Sequence, residues 1–492
     1  MIFLQRHNAR KHEKGFLLIG VLIFSAIAIA TVMAFVSWGI SSSRLSNRVL
    51  HREESLEIAE AGIEYSRWFL AHYQSDFQLG TGHAGPYTYD FQDKDGATIG
   101  TYTITITPPS TGSTVVTIQS KGVVSVDPNS TRTIQVKLAI PSLAKYAVVA
   151  NDDMRFGEGT VVYGPIHSNG GIRFDGLAYN IVTSAKASYD DPDHSGGSEF
   201  GVHTHLDTNG NINDSFRPLE APPSTVQART DVFKAGRQFP VPAVDFNGIT
   251  NDLATIKSNA QSSGKYFAAS GSLGYDIILK TNDTFDIYKV TALDAAPSNC
   301  KSDGASGWGT WSIKNKTLIG TYAFPSNGLI FTEDNLWIEG QIDTARLTIA
   351  AAAFPDNVNT RKSITVNNNL TYTNYDGQDV ISLIAQNNIN AGLESADDLR
   401  IDAALMAQNG RIGRYYYSSS CKIGGTNYYV RDTINLYGMI GSNQRYGFAY
   451  TNGTGYQTRI ITYDTNLLYS PPPNFPLASD KYQIISWEEL EE

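Results

Sequence analysis

The chain has 492 residues, a formal net charge of −10, only 17% charged residues and two cysteines. That length supports more than one domain and a large core, while the acidic balance argues against nucleic acid as a general partner. Two cysteines are too few for a disulfide framework; Cys300 and Cys421 form either one bridge in an oxidising compartment or none. Plentiful Gly, Ser, Thr, Asn and Tyr favour β-structure with many turns.

The N-terminus comes first. Arg6, Arg10, Lys11 and Lys14 stand against a single acid, Glu13, and residues 16–40 then carry no charge. A helix of that length crosses a bilayer, with the basic end cytoplasmic. A cleaved signal peptide is the alternative, with Ser41, Ser42 and Ser43 as the small residues after the apolar run. The helical pattern nevertheless continues. Leu45, Val49, Leu56, Ala59, Ile63 and Leu70 recur at intervals of three, four or seven, and Glu53, Glu54, Glu57, Glu60 and Glu64 mostly take the other faces. One continuous helix is predicted from Phe16 to about Tyr73, half in lipid and half amphipathic.

Lys14-Gly15-Phe16-Leu17-Leu18-Ile19 resembles the prepilin peptidase site of type IV pilins and pseudopilins. Glu57-Ile58-Ala59-Glu60-Ala61-Gly62-Ile63-Glu64 resembles a segment of PilX-type minor pilins. The resemblance covers about the first seventy residues. It implies cleavage after Gly15, methylation of Phe16, and partners among other pilins, the pilus assembly machinery, prepilin peptidase and the inner membrane through residues 16–40. One departure stands out: pilins usually carry glutamate at the fifth mature position, here Gly20, where it neutralises a neighbour's N-terminal amine. A buried amine without that carboxylate is costly. The departure suits a tip or initiation subunit, as in some minor pilins and K-type pseudopilins.

Next, residues 76–142 read as a small antiparallel module, with strands at 101–106, 115–120 and 131–138. Asp93-Lys94-Asp95-Gly96 has the chemistry of a hairpin turn rather than of a calcium loop. After Pro141, Ile166-His167-Ser168-Asn169-Gly170-Gly171-Ile172 is echoed by Met406-Ala407-Gln408-Asn409-Gly410-Arg411-Ile412, and in part at Asn387 and Asn443. The spacing predicts a parallel β-helix, a solenoid with Asn and Gly at its corners and asparagines bonding from coil to coil. A β-sandwich with Asn-Gly turns is the alternative. The fold class is therefore α+β: a pilin-like helix over 16–75 after a leader at 1–15, the small sheet, then a solenoid-like head over 143–470. An insertion is expected at about 183–318, with a short helix at 252–259, and residues 471–492 form a proline-rich break and a solvated acidic tail.

Chemistry is sparse. His203-x-His205-x-Asp207 would place three N and O donors on one strand face, a metal-ligand pattern. The loop with Asp190, Asp191, Asp193 and Glu199 offers oxygens suited to calcium. No cofactor beyond such an ion is expected, and no catalytic residue. A polysaccharide-active enzyme is the third reading, on pairs such as Asp343 with Arg346 or Asp402 with Arg411. Tyr415, Tyr416, Tyr417, Tyr428 and Tyr429 suit contact with a carbohydrate or surface ligand, or lateral packing. The expected function is a minor pilin-like component of a type IV pilus or secretion filament, its head extracytoplasmic. A membrane-anchored adhesin outside any filament is the alternative.

Overall fold

The computed structural model describes residues 13–109, 113–246, 249–297, 300, 309–477 and 481–490. The chain divides into two compact units, one of residues 1–108, 116–137 and 484–492, the other of 109–115 and 138–483. Positions 1–12 of the expected leader lie outside the described residues.

In the first unit, helix α1 runs unbroken over Glu13–His72, close to the predicted span. Its apolar half is bare: Leu22, Phe24, Phe35 and Trp38 are all more than half exposed. That half is long and apolar enough to cross a membrane. Leu45 and Val49 of the predicted stripe are exposed too, because among the described residues no strand of this unit reaches them; burial begins at Ser55 and continues through Ile58, Ala59, Gly62, Ile63, Ser66 and Leu70. These residues pack on a sheet in the order Tyr87–Gln92, Thr98–Thr107, Val116–Val124, Asp127–Ala139 and Gln483–Leu490, the first three antiparallel. Alternation buries Val116, Ile118, Ser120, Gly122 and Val124 on one face. The Asp93 carboxylate accepts the backbone N–H groups of Asp95 and Ala97, both at 2.9 Å, so it closes the hairpin as its turn chemistry implied.

The acidic tail is not loose, although Ile484, Trp487 and Glu488 in it are exposed. Gln483–Leu490 is a strand of this sheet, and Arg132 pairs with Glu489. The run of glutamates masked the β-forming residues Ile484, Ile485 and Trp487, and a cross-strand arginine offsets part of the charge.

The second unit is built on parallel ladders. Leu329–Thr332, Arg346–Ala351, Val380–Ala385, Asp398–Ala407, Val430–Ser442, Val148–Ala150, Ile166–Ser168 and Val182–Ser184 pair in that order. Register stacks Ile330, Ile349, Leu383, Leu405, Ile440, Val148, Ile166 and Val182 in one column, all in a single buried cluster. The opposite face stacks Phe331, Ala350, Ile384, Met406 and Val149, against which helix α2 (Ile249–Ser263) lays Leu253, Ile256 and Ala260. Two further parallel ladders feed the first cluster, one through Leu336, Ile364, Ile389 and Ile412, the other through Leu370, Ile401, Leu436, Ile461 and Val162. The strand 430–442 meets 148–150, so the spatial order of the ladder starts late in the sequence and ends early.

Part of the segment expected as an insertion belongs to these ladders: Lys265–Phe267 pairs with Leu329–Thr332, and Gly274–Lys280 with Leu336–Ile342, both in parallel. Neither strand carries the asparagine motif that follows Ile166–Ser168, Val380–Ala385 and Asp398–Ala407. Only then do Thr284–Leu293 and Ile313–Ala323 add antiparallel strands.

At the corners, Asn169 Nδ2 donates to Asn151 Oδ1 and Asn151 Nδ2 to Asn443 Oδ1, each at 2.8 Å. Asn169 also donates to the Val244 carbonyl at 2.7 Å and accepts the Val244 N–H at 2.8 Å. Asn169→Ala, which loses three of these bonds, is therefore expected to cost about 3 kcal/mol and Asn151→Ala, which loses two, about 2, since a net hydrogen bond contributes roughly 1 kcal/mol. Urea unfolding of the two variants, read at constant m-value, checks the ratio.

Candidate metal centre

The chain reaches the histidines through short pairings. Ser188–Tyr189 lies antiparallel to Glu199–Phe200, which folds the acidic loop 190–198 back, and Val202–His203 pairs in parallel with Ile172–Phe174. His203 and His205 come together, their ring centroids 5.2 Å apart and both residues wholly buried. Asp207 does not join them. The strand ends at His203, the chain turns, and the Asp207 carboxylate accepts the N–H groups of Asn209 (2.9 Å) and Asn211 (3.0 Å). Alternation failed because it requires an unbroken strand.

Asp191 takes that place. One ligand atom from each of Asp191, His203 and His205 lies within 4.8 Å of the others, and His203 Nε2 is 3.6 Å from Asp191 Oδ2. Asp191 was legible only as part of an acidic loop. The hairpin that carries it to His203 has strands of two residues each, too short to read as a pattern. His205 Nδ1 lies 2.8 Å from the Asp214 carboxylate, which acts as acceptor, so Nδ1 carries the proton and Nε2 the lone pair. Both ring nitrogens of His203, Nε2 of His205 and Oδ2 of Asp191 are buried without a hydrogen-bond partner. His194 stands edge-on to His205, with centroids 4.9 Å apart.

Burial pushes the His205 pKa down, keeping the ring neutral against the pull of Asp214. Burial also opposes ionisation of Asp191, but it is outweighed: His203, the Asp193 N–H and Arg173 hold the carboxyl well below the usual range. Arg173 is the competing cation, 3.5 Å from Asp191, with its Nε bonded to Asp175 at 2.6 Å. The calcium set is dispersed. Asp193 faces Arg155 and Arg445, and Glu199 accepts the Asp191 N–H at 3.2 Å.

No protein-family model and no curated protein matches the sequence. Among solved structures, similarity is found to the competence-associated pilin ComZ from Thermus thermophilus, at 12% identity and a TM-score of 0.30, over 89% of this chain and 98% of that one. A TM-score so low shows neither a shared fold nor a shared role, and none is inferred from it.

A groove of about 960 Å³ opens nearby, lined by Asp152, Arg155, Glu158, Arg445 and Tyr450 among others. Its arginines are engaged: Arg445 and Arg155 hold Asp193, while Arg411 donates to the Gly447 carbonyl at 2.9 Å. Neither carboxylate–arginine pair considered for catalysis forms. Asp402 is bonded to Arg400 at 2.9 Å, and Arg346 donates to the carbonyls of Gly377, Ser470 and Pro471. Tyr415 and Tyr417 are buried around a Cys300–Cys421 disulfide, together with Leu393. They pack the interior and offer no contact surface. Gly15 and Phe16 lie within α1.

Proposed function

We propose that the chain is a minor pilin-like subunit, resembling the PilX type, that is cut after Gly15 and anchored by residues 16–40 until it is delivered to a filament. The observation that carries this reading is α1: one unbroken helix, bare and apolar in its first half, docked by its second half on an antiparallel sheet. A signal peptide needs no such continuation; a pilin shaft does. The basic end at Arg6, Arg10 and Lys11 keeps that side cytoplasmic and the head extracytoplasmic. A Cβ at Gly20 would meet nothing within 4 Å, so packing within the chain does not exclude the missing glutamate. Its absence then belongs to the filament, and favours a tip or initiation position. The parallel ladders and their asparagine corners support reading 143–470 as a β-solenoid head that contacts a surface, carbohydrate or protein partner without catalysis.

N-terminal mass spectrometry on the membrane-extracted protein tests the proposal. A mature chain beginning at methylated Phe16 is expected, with processing lost in Gly15→Val. Retention of Met1, or a cut near Ser43, would sink it; an intact, membrane-held chain would favour the permanently anchored adhesin.

A further inference from the structure

We propose that Asp191, His203 and His205 form a structural site for a divalent transition ion of the zinc class, with His194 beside His205 as a further donor. Two imidazoles and one carboxylate are a borderline N and O set, which suits zinc; calcium and magnesium take six or more oxygens. The three donors lie within 4.8 Å of one another. Ligands about 2.0–2.1 Å from a tetrahedral ion stand roughly 3.4 Å apart. Asp191 and His203, at 3.6 Å, are already near that separation.

Three observations point to a ligand rather than to a plain ion-pair network. The first is tautomer. Asp214 holds the Nδ1 proton of His205 at 2.8 Å and leaves Nε2 a bare lone pair, the carboxylate–histidine arrangement that orients metal ligands. The second is satisfaction. His203 has both ring nitrogens buried without partners, beside the orphaned Nε2 of His205 and Oδ2 of Asp191. Buried polar atoms are rarely left so, and one cation would engage one donor of each residue at once. The third is charge. Glu220 is held by Arg237 and approached by Arg229, Asp193 is held by Arg445 and Arg155, and Arg173 offsets Asp175. Asp191 and Asp214 face His203 and His205. A dication therefore enters a negative surrounding despite Arg173.

Complete burial of His203 and His205 closes the site to substrate, so its role is to clip the loop that bears Asp191 to the strand that bears His203. The test uses the full chain without a histidine tag, in detergent, stripped with chelator and then offered zinc alone. Wild type is expected to keep about one ion per chain after desalting and to melt at a higher temperature with zinc than without. His203→Ala/His205→Ala should keep none. Should that variant fail to fold, Asp191→Asn changes one atom and is expected to weaken zinc binding at least tenfold, while Asp207→Asn leaves it unchanged. Wild type without stoichiometric zinc, or Asp191→Asn with undiminished affinity, would overturn the proposal. In that case the cluster is an ion-pair network only.

Discussion

Replacing Cys421 with serine is expected to lower the stability of the second unit by about 3–5 kcal/mol. The bridge to Cys300 spans a sequence separation of 121 residues. Cross-linking a 100-residue loop removes chain entropy equivalent to about 4.7 kcal/mol from the unfolded state, and engineered losses usually fall somewhat below that figure. A second cost follows from burial. Cys300 and Cys421 are 1% and 0% exposed among Leu393, Tyr415 and Tyr417, so a lone serine hydroxyl there would be desolvated. Cys421→Ala should therefore be less damaging than Cys421→Ser, although both lose the loop constraint. Urea midpoints of the two variants beside wild type, with and without reductant, separate the contributions. Equal midpoints for oxidised and reduced wild type would contradict the entropic account. Such a bridge forms in an oxidising compartment, as the extracytoplasmic head proposed above requires.

The helix was legible almost to the residue because two signals agreed: an uncharged stretch over 16–40, then apolar residues at helical spacing over a run of glutamates. What sequence could not supply was the neighbour. Leu45 and Val49 share the pattern of Ile63 and Leu70, yet only the latter pair is buried, since burial depends on where the sheet ends. Of the three asparagines that bond from strand to strand, Asn169 and Asn443 were legible from their recurring motif, whereas Asn151, which bonds to both, was not. The strands 265–267 and 274–280 lack the motif and went unread. So did the order of the ladder, in which residue 148 follows residue 442, because no local pattern encodes a long-range pairing.

The candidate metal centre shows the same division. His203 and His205 were found by spacing alone, and the acidic loop by composition. Their junction through Asp191 depended on a two-residue hairpin, which no periodicity can announce. The cysteines met the same obstacle: 121 residues apart, they offered no geometry until the chain was folded.

Gly122→Val is expected to cost about 3 kcal/mol or more and to loosen α1 from its sheet. Gly122 lies on the sheet face that meets the helix, where a Cβ would collide with the Ser55 carbonyl and the Ala59 amide. Both are backbone, which cannot rotate aside as a side chain can. Overpacking commonly costs 1–3 kcal/mol, and a branched side chain pressed on a helix backbone belongs at the upper end. The seam is built for close approach: Gly100 meets Ile58 and the Val123 carbonyl, and Gly62 meets Ser120 and Tyr102. This gives the Glu57-to-Glu64 segment a physical meaning, for Ala59 and Gly62 face the sheet while Glu57, Glu60 and Glu64 stay in water. Gly62→Ala should cost less than Gly122→Val, because Ser120 Oγ is a side-chain end that can turn. Gly39→Ala is the control. Nothing lies within 4 Å of its Cβ, and alanine favours the helix by up to about 1 kcal/mol. Limited proteolysis across 73–86, with thermal denaturation of the detergent-solubilised chain, reads the difference. A Gly122→Val protein as resistant as Gly39→Ala would refute the close packing of helix on sheet, and with it the physical meaning given to the glycine of that segment.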